Sequence, residues 1–386
     1  MSACRPTGRS RRLGVKADRT RLSTIARTPH EKGGVAFMIV LSVLAIIMIL
    51  LTEIGITSRP QKTTLNASVD NLKAYYSALS GFKISSLLVI AHARIAQNEP
   101  LKKLLGGQTA ILDELWKMGF QYPLPIADSE IVTSEPSALE GTISVRNEDL
   151  SSKINLNTLA SDDEDQLKAT RSLLKNYFLS LHDTSSSQEA AETQEFNEKK
   201  GTLQKQYSHN IDVIIDNIQD WVDEDNSRPA GGRETDLYKE APYGPKNAPM
   251  ETISELHLIF GIKDDLFDFL EPAVTVYGDG NININTASFL LIKSLSPELQ
   301  DRHVEQIIQK RPFRTVKEFE EFVTNQLLLS AKFNKEPKVS LTTEPSFFKI
   351  ESVAQVGRSV KKINAIIDRE NFDTNGQPML YYFQVD

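Results

Sequence analysis

Val35 to Thr52 is a run of eighteen residues without a charge, inside "GGVAFMIVLSVLAIIMILLTEIG", and it limits what this chain can fold into more than any other feature. At about 1.5 Å per residue, a helix of that length crosses roughly the hydrocarbon layer of a bilayer. A helix that is apolar all round cannot lie on a protein surface in water, so membrane insertion is the working expectation. The segment before it is basic. Residues 1–34 hold Arg5, Arg9, Arg11, Arg12, Lys16, Arg19, Arg21, Arg27 and Lys32 against Asp18 and Glu31, a net of +7, so the rest of the chain carries −14 of the total −7. Positive charge before the span places the N-terminus in the cytoplasm and everything beyond Glu53 outside it, in a single pass. The acidic body argues against nucleic-acid binding, where phosphate neutralisation dominates affinity. Cys4 is the sole cysteine, which rules out a disulfide within the chain and leaves the compartment open.

Beyond Pro60, Leu65, Val69, Leu72, Tyr76 and Leu79 recur at helical spacing and predict a helix with one buried stripe, continuing the membrane helix outward with a kink at Pro60. A helical pattern at Leu112–Met118 precedes a loop with Pro123, Pro125 and Pro136. "GTISVRNEDLSSKINLNTLA" reads as a β-hairpin. The polar tract 182–201 reads as a surface loop within a helical region. Helical spacing returns at Ile211, Ile214, Ile215, Ile218 and Trp221. An echo follows: "KINLNTLA" at 153–160 and "NININTAS" at 281–288 share Ile-Asn-x-Asn-Thr, a short strand with Asn-Thr suited to cap the next helix. From residue 341 the chain alternates strongly up to "DTNG", a hairpin turn, and then "PMLYYFQV". Helices inserted between the early and late strands of one antiparallel sheet is the simplest arrangement.

The acidic stretch "WVDEDNSRPAGGRETDLY", 221–238, offers three readings. Paired carboxylates could do acid–base work, but His209 and His257 sit in separate segments and show no catalytic order, so no enzyme is expected. Flexible carboxylates could instead gather a hard cation such as Ca²⁺. Counting from Asp223, an EF-hand needs glycine at position six, where Arg228 stands before Pro229, so an EF-hand is excluded. A calcium loop of another kind and a plain solvated loop both remain open on residue chemistry.

Three resemblances bear on function. "HEKGG" followed by an apolar run resembles the type IV prepilin class, whose leader is cut after a glycine; this implies prepilin-peptidase cleavage between Gly34 and Val35. That class usually has glutamate at mature position five. Here the position is Ile39, which resembles the K component of type II secretion among the pseudopilins. Residues 282–322 look like the helix-hairpin-helix unit of DNA-uptake proteins, but the hairpin is Ser296, Pro297, Glu298, Leu299, with no glycine for phosphate approach, so no nucleic acid is expected.

The run 220–262 and both Ile-Asn-x-Asn elements extend the resemblance to the secretion K family (GspK) over most of residues 31–360. It implies an α+β fold, in which a pilin-like long N-terminal transmembrane helix packs on an antiparallel sheet with a large inserted α-helical domain, SAM or helix-hairpin-helix-like. The expected parts are a leader 1–34, a span 35–56, stem helix and first strands 57–157, the insert 158–272 with its acidic loop 220–238, a second strand and helix-hairpin-helix-like unit 273–340, and C-terminal strands 341–386. By the same resemblance calcium is held by Asp223, Asp225 and Glu234, with Asp236 and Asn247 as weaker candidates. The implied role is a minor pseudopilin at the tip of a periplasmic filament, anchored in the bacterial inner membrane, that starts assembly with minor pseudopilins I and J. The secretion platform and secreted substrates are the other implied partners. A pilus or competence subunit touching DNA is the alternative.

Overall fold

The computed structural model describes residues 32–97, 116, 119–122, 141–179, 210–229, 231–329, 338–374 and 376–386, with the side chains of 32–36, 53–65 and 96–97 left aside. The basic head up to Glu31, the 112–118 pattern apart from Trp116, the loop prolines and the polar tract 182–201 lie outside them. The chain divides into two units, residues 1–66 and 67–386.

Helix α1, Lys32–Gln97, contributes to both units and is helical through Pro60. In the first unit every residue from Phe37 to Thr52 is exposed, with Met38 and Met48 each at 72%. Gly34 and Val35 fall in the first turns of this helix. In the second unit α1 packs on a sheet, and of the predicted stripe from Val69 onward only Leu79 lies partly buried against the core. Val69, Leu72 and Tyr76 face outward at 51%, 58% and 58% exposure, whereas Ala74, Ala78, Gly81, Ser85 and Val89 are buried. The physical reason is distance. A Cβ on Gly81 would stand 2.5 Å from Ser352 Oγ and 2.8 Å from Val145, so only small residues let the helix reach the strands. Ser352 Oγ donates to the Ala78 carbonyl at 2.7 Å and ties the two together.

The chain then forms β1, Phe120–Tyr122, and β2, Thr142–Asp149. The predicted hairpin after β2 is absent. Asp149 turns the chain by accepting from Ser151 N at 2.8 Å, and β3, Ile154–Asn155, leaves to pair in parallel with β4, Val274–Thr275. Between them lie α2, Glu164–Leu179, α3, Ile211–Val222, and α4, Asp264–Leu270. Next come β5, Ile282–Asn283, helices α5, Phe289–Ser294, α6, Asp301–Lys310, and α7, Val316–Glu321, and β6, Leu341–Thr342, which pairs in parallel with β5. The chain closes with β7, Phe347–Val356, β8, Ser359–Phe372, and β9, Pro378–Val385. Sheet order is β1-β2-β7-β8-β9, antiparallel throughout, so the helices are inserted between neighbouring strands β2 and β7. "DTNG" turns β8 into β9, as its composition predicts: Asp373 N donates to Gln377 O and Gly376 N to Asp373 O. An earlier turn at Gly357, with φ of 57°, splits the long alternating stretch into β7 and β8.

The echoed motif is used twice in the same way. Asn155 and Asn283 each fold back to accept from the amide two residues on, at 3.0 Å in both cases. Asn157 then donates to Met250 O and Val276 O and accepts from Met250 N. Asn285 donates to Phe313 O and Thr343 O and accepts from Phe313 N. Each second asparagine therefore clamps three backbone groups far along the chain rather than capping a helix. The cap of α5 is Ser288, accepting from Leu291 N. Residues 152–279 and 282–344 thus share one plan, from a short strand through helices to a parallel closing strand. They also share one continuous core, from Ile154 to Val339.

Candidate metal centre

Helix α3 buries one apolar side through Ile214, Ile218, Trp221 and Val222, and from its middle onward it also buries Asp216, Asn217 and Asp220. The helix ends at Asp223, whose backbone turns extended. The loop beyond closes on itself. Ser227 pairs with Arg233, Gly231 N donates to Arg228 O at 2.8 Å, and Gly231 and Gly232 supply the positive φ that the tight return requires. A 3₁₀ turn, Glu234–Tyr238, follows and carries Glu234 inward.

This path brings together three predicted residues. One carboxylate oxygen from each of Asp223, Asp225 and Glu234 lies within 4.8 Å of the others. Glu234 is completely buried, Asp223 half-buried and Asp225 exposed. Asn247 arrives as a clamp: its amide N–H₂ donates to Asp225 O, to Asn226 Oδ1 at 3.4 Å and to Glu234 Oε2 at 3.1 Å. Asp236 is not brought in; it is exposed and paired with Lys239 at 3.0 Å. Sequence reasoning missed Asp220, 1% exposed, whose Oδ2 accepts from Arg228 Nε at 3.3 Å. Its helical spacing with Asp216 and Asn217 was readable, but burial of that polar stripe was not.

Electrostatics define what the site can do. Asp223 Oδ1, Glu234 Oε1 and Asp220 Oδ1 are buried oxygens without a hydrogen-bond donor. Burial, and then the charges of Asp223 and Asp220, push the Glu234 carboxyl up to about 7. Burial raises Asp223 to about 6, with Asp225 adding to it, and burial raises Asp220 to about 6 against the pull of Arg228. Carboxylates held close in low dielectric repel, and each unpartnered oxygen wants a positive ligand. A hard divalent cation would supply it, and an all-oxygen donor set on a loop suits Ca²⁺. The residues therefore fit the ion.

The chain matches two family models, each described as type II secretion system protein K, over residues 152–279 and 282–344. It is 35% identical over 103 residues to the type II secretion system protein K of Pectobacterium carotovorum subsp. carotovorum, covering 25% of this chain and 31% of that one. It is 24% identical over 290 residues to the protein of the same name from Klebsiella pneumoniae, covering 73% of this chain and 76% of that one. Its fold resembles a chain in the crystal structure of the GspK-GspI-GspJ complex from enterotoxigenic Escherichia coli, with a TM-score of 0.59 at 18% identity over 84% of this chain and 99% of that one.

Proposed function

Because the chain belongs to the type II secretion system protein K family, we propose that it works as a minor pseudopilin that starts and caps the secretion pseudopilus together with pseudopilins I and J. The observation that carries this reading is the match of both family models across the insert. The surfaces of α1 support it. Phe37–Thr52 presents apolar side chains on every side, which suits storage in the inner membrane. Further along, Val69, Leu72, Tyr76 and Leu87 are exposed on the helix that packs on the sheet, a stripe suited to a partner helix. Ile39, exposed at the fifth position after the expected Gly34–Val35 cut by prepilin peptidase, cannot make the charge pairing that a glutamate makes with a next subunit. This favours the end of the filament.

In this reading the protein acts by association and carries out no reaction. Asp223, Asp225 and Glu234 hold calcium, which supplies the positive charge that their crowding lacks, while Asn247 fixes Glu234 and the Asp225 backbone in place. The test is co-purification of the full chain in detergent with I and J. A stoichiometric complex is expected, and Leu72→Glu with Leu87→Glu weakens it. No complex with either subunit overturns the reading.

A further inference from the structure

We infer that residues 223–248 are an insertion into the first of two like units within the helical insert, 152–279 and 282–344, and that the cation orders this insertion without being needed to fold that unit. The inference rests on the cation reading above. The asparagine clamps supply fixed landmarks. In the second unit α6 ends at Lys310, Arg311 follows, and Pro312–Phe313 delivers the amide that Asn285 accepts at 2.8 Å. In the first unit α3 ends at Val222, and the matching amide, from Met250 after Pro249, reaches Asn157 at 2.8 Å. One residue, Arg311, therefore stands where the first unit has 223–248.

The match resumes at once beyond the clamp. Thr252 and Glu255 form a capping pair, with Glu255 Oε1 accepting from Glu251 N at 2.7 Å. Thr315 and Glu318 do the same, with Glu318 Oε2 accepting from Arg314 N at 2.9 Å. Leu256 and Phe319, the next apolar residues, are both fully buried. The second unit thus reaches its strand, helices and clamp with no equivalent of the loop.

The inserted segment also holds its cluster and its turn by bonds of its own. The Ser227–Arg233 pairing and all the Asn247 bonds join residues inside 223–248, as does the three-carboxylate cluster. Glu234, fully buried with Oε1 unpartnered, points to a ligand held inside the segment. Among the described residues, its ties to the rest run through Tyr238, which lies in the core and accepts from Phe260 N at 3.2 Å, Leu237 and Ala241 packed on that core, Tyr238 and Tyr243 against Trp221, Arg228 with Asp220 and Asn217, and Lys246 with Glu255.

Hydrogen exchange followed by mass spectrometry, on the full chain in detergent with EDTA or with calcium, tests the inference. Calcium is expected to slow exchange within 223–248 by about tenfold or more while α2, α3, α5 and α6 keep their protection in EDTA. Loss of protection in α2 and α3 on cation removal overturns it. A variant in which a single arginine replaces 223–248 is expected to retain protected α2 and α3 and to show no response to calcium. If that variant has no protected helices, the insertion is disproved. Should calcium change nothing in the wild-type chain, the cation reading fails, and the excised variant still decides the insertion.

Discussion

Glu234 shows how a single side chain can make a loop conditional. Its carboxyl holds a proton up to about 7, and Asp223 and Asp220 hold theirs to about 6, from ordinary values of 4.5 and 3.8. Without a cation the folded state binds more protons than the unfolded one between roughly pH 4 and 7, so these groups lower stability as pH rises through that window and no further above it. The melting temperature in EDTA is therefore expected to fall from pH 5 to pH 8, and Glu234→Gln is expected to lose much of that fall. Calcium at a hundredfold excess over its Kd adds about 2.7 kcal/mol to the wild type. Scanning calorimetry at both pH values checks this, and an equal calcium response in Glu234→Gln sinks it. Part of this was legible in the sequence, since Asp223, Asp225 and Glu234 were readable as oxygen donors. The roles of Asn247, a donor held at φ of 48°, and of buried Asp220 were not, because both depend on which neighbours the fold brings near.

Between residue and molecule, the asparagine clamps carry the architecture. Asn157 and Asn285 each hold three backbone groups belonging to segments remote in sequence. Replacing either by alanine leaves buried amides and carbonyls unpaired, at about 1–3 kcal/mol for each group left without a partner. Asn157→Ala and Asn285→Ala are each expected to lower the urea midpoint with little change in slope. An unchanged midpoint in either contradicts the clamp. The repeated Ile-Asn-x-Asn-Thr letters announced these elements, and the alternation after residue 341 announced the late strands. Periodicity misled on α1, where large apolar residues suggested the buried side. The sheet instead selected Ala74, Ala78 and Gly81, because close approach outweighs the burial of bulk. The β2 hairpin failed for a related reason: Asp149, itself buried, spends its acceptors on Ser151, Asn283 and Thr286, which commits the chain to the insert.

For the whole molecule, the division at Asn66 separates a segment exposed on all its described sides from a unit with its own cores. Chain starting at Ala67 is expected to elute as a folded, soluble species on gel filtration, while the full chain stays in solution only with detergent or lipid. Aggregation of the shorter chain overturns that expectation. One contact gives this unit a history as well as a shape. Ser346 N donates to Ser151 Oγ across 195 residues of sequence, beside the place where β2 meets β7. Closing so long a loop carries an entropic cost before any strand pairing can repay it, and contacts of that separation form slowly. The parallel pairs of the insert, Ile154 with Val274 and Ile282 with Leu341, close shorter loops than Asp149 with Phe348 and are expected to form first. The middle of the chain is therefore expected to gain structure before the sheet, as the clasp on which β2 and β7 find one another.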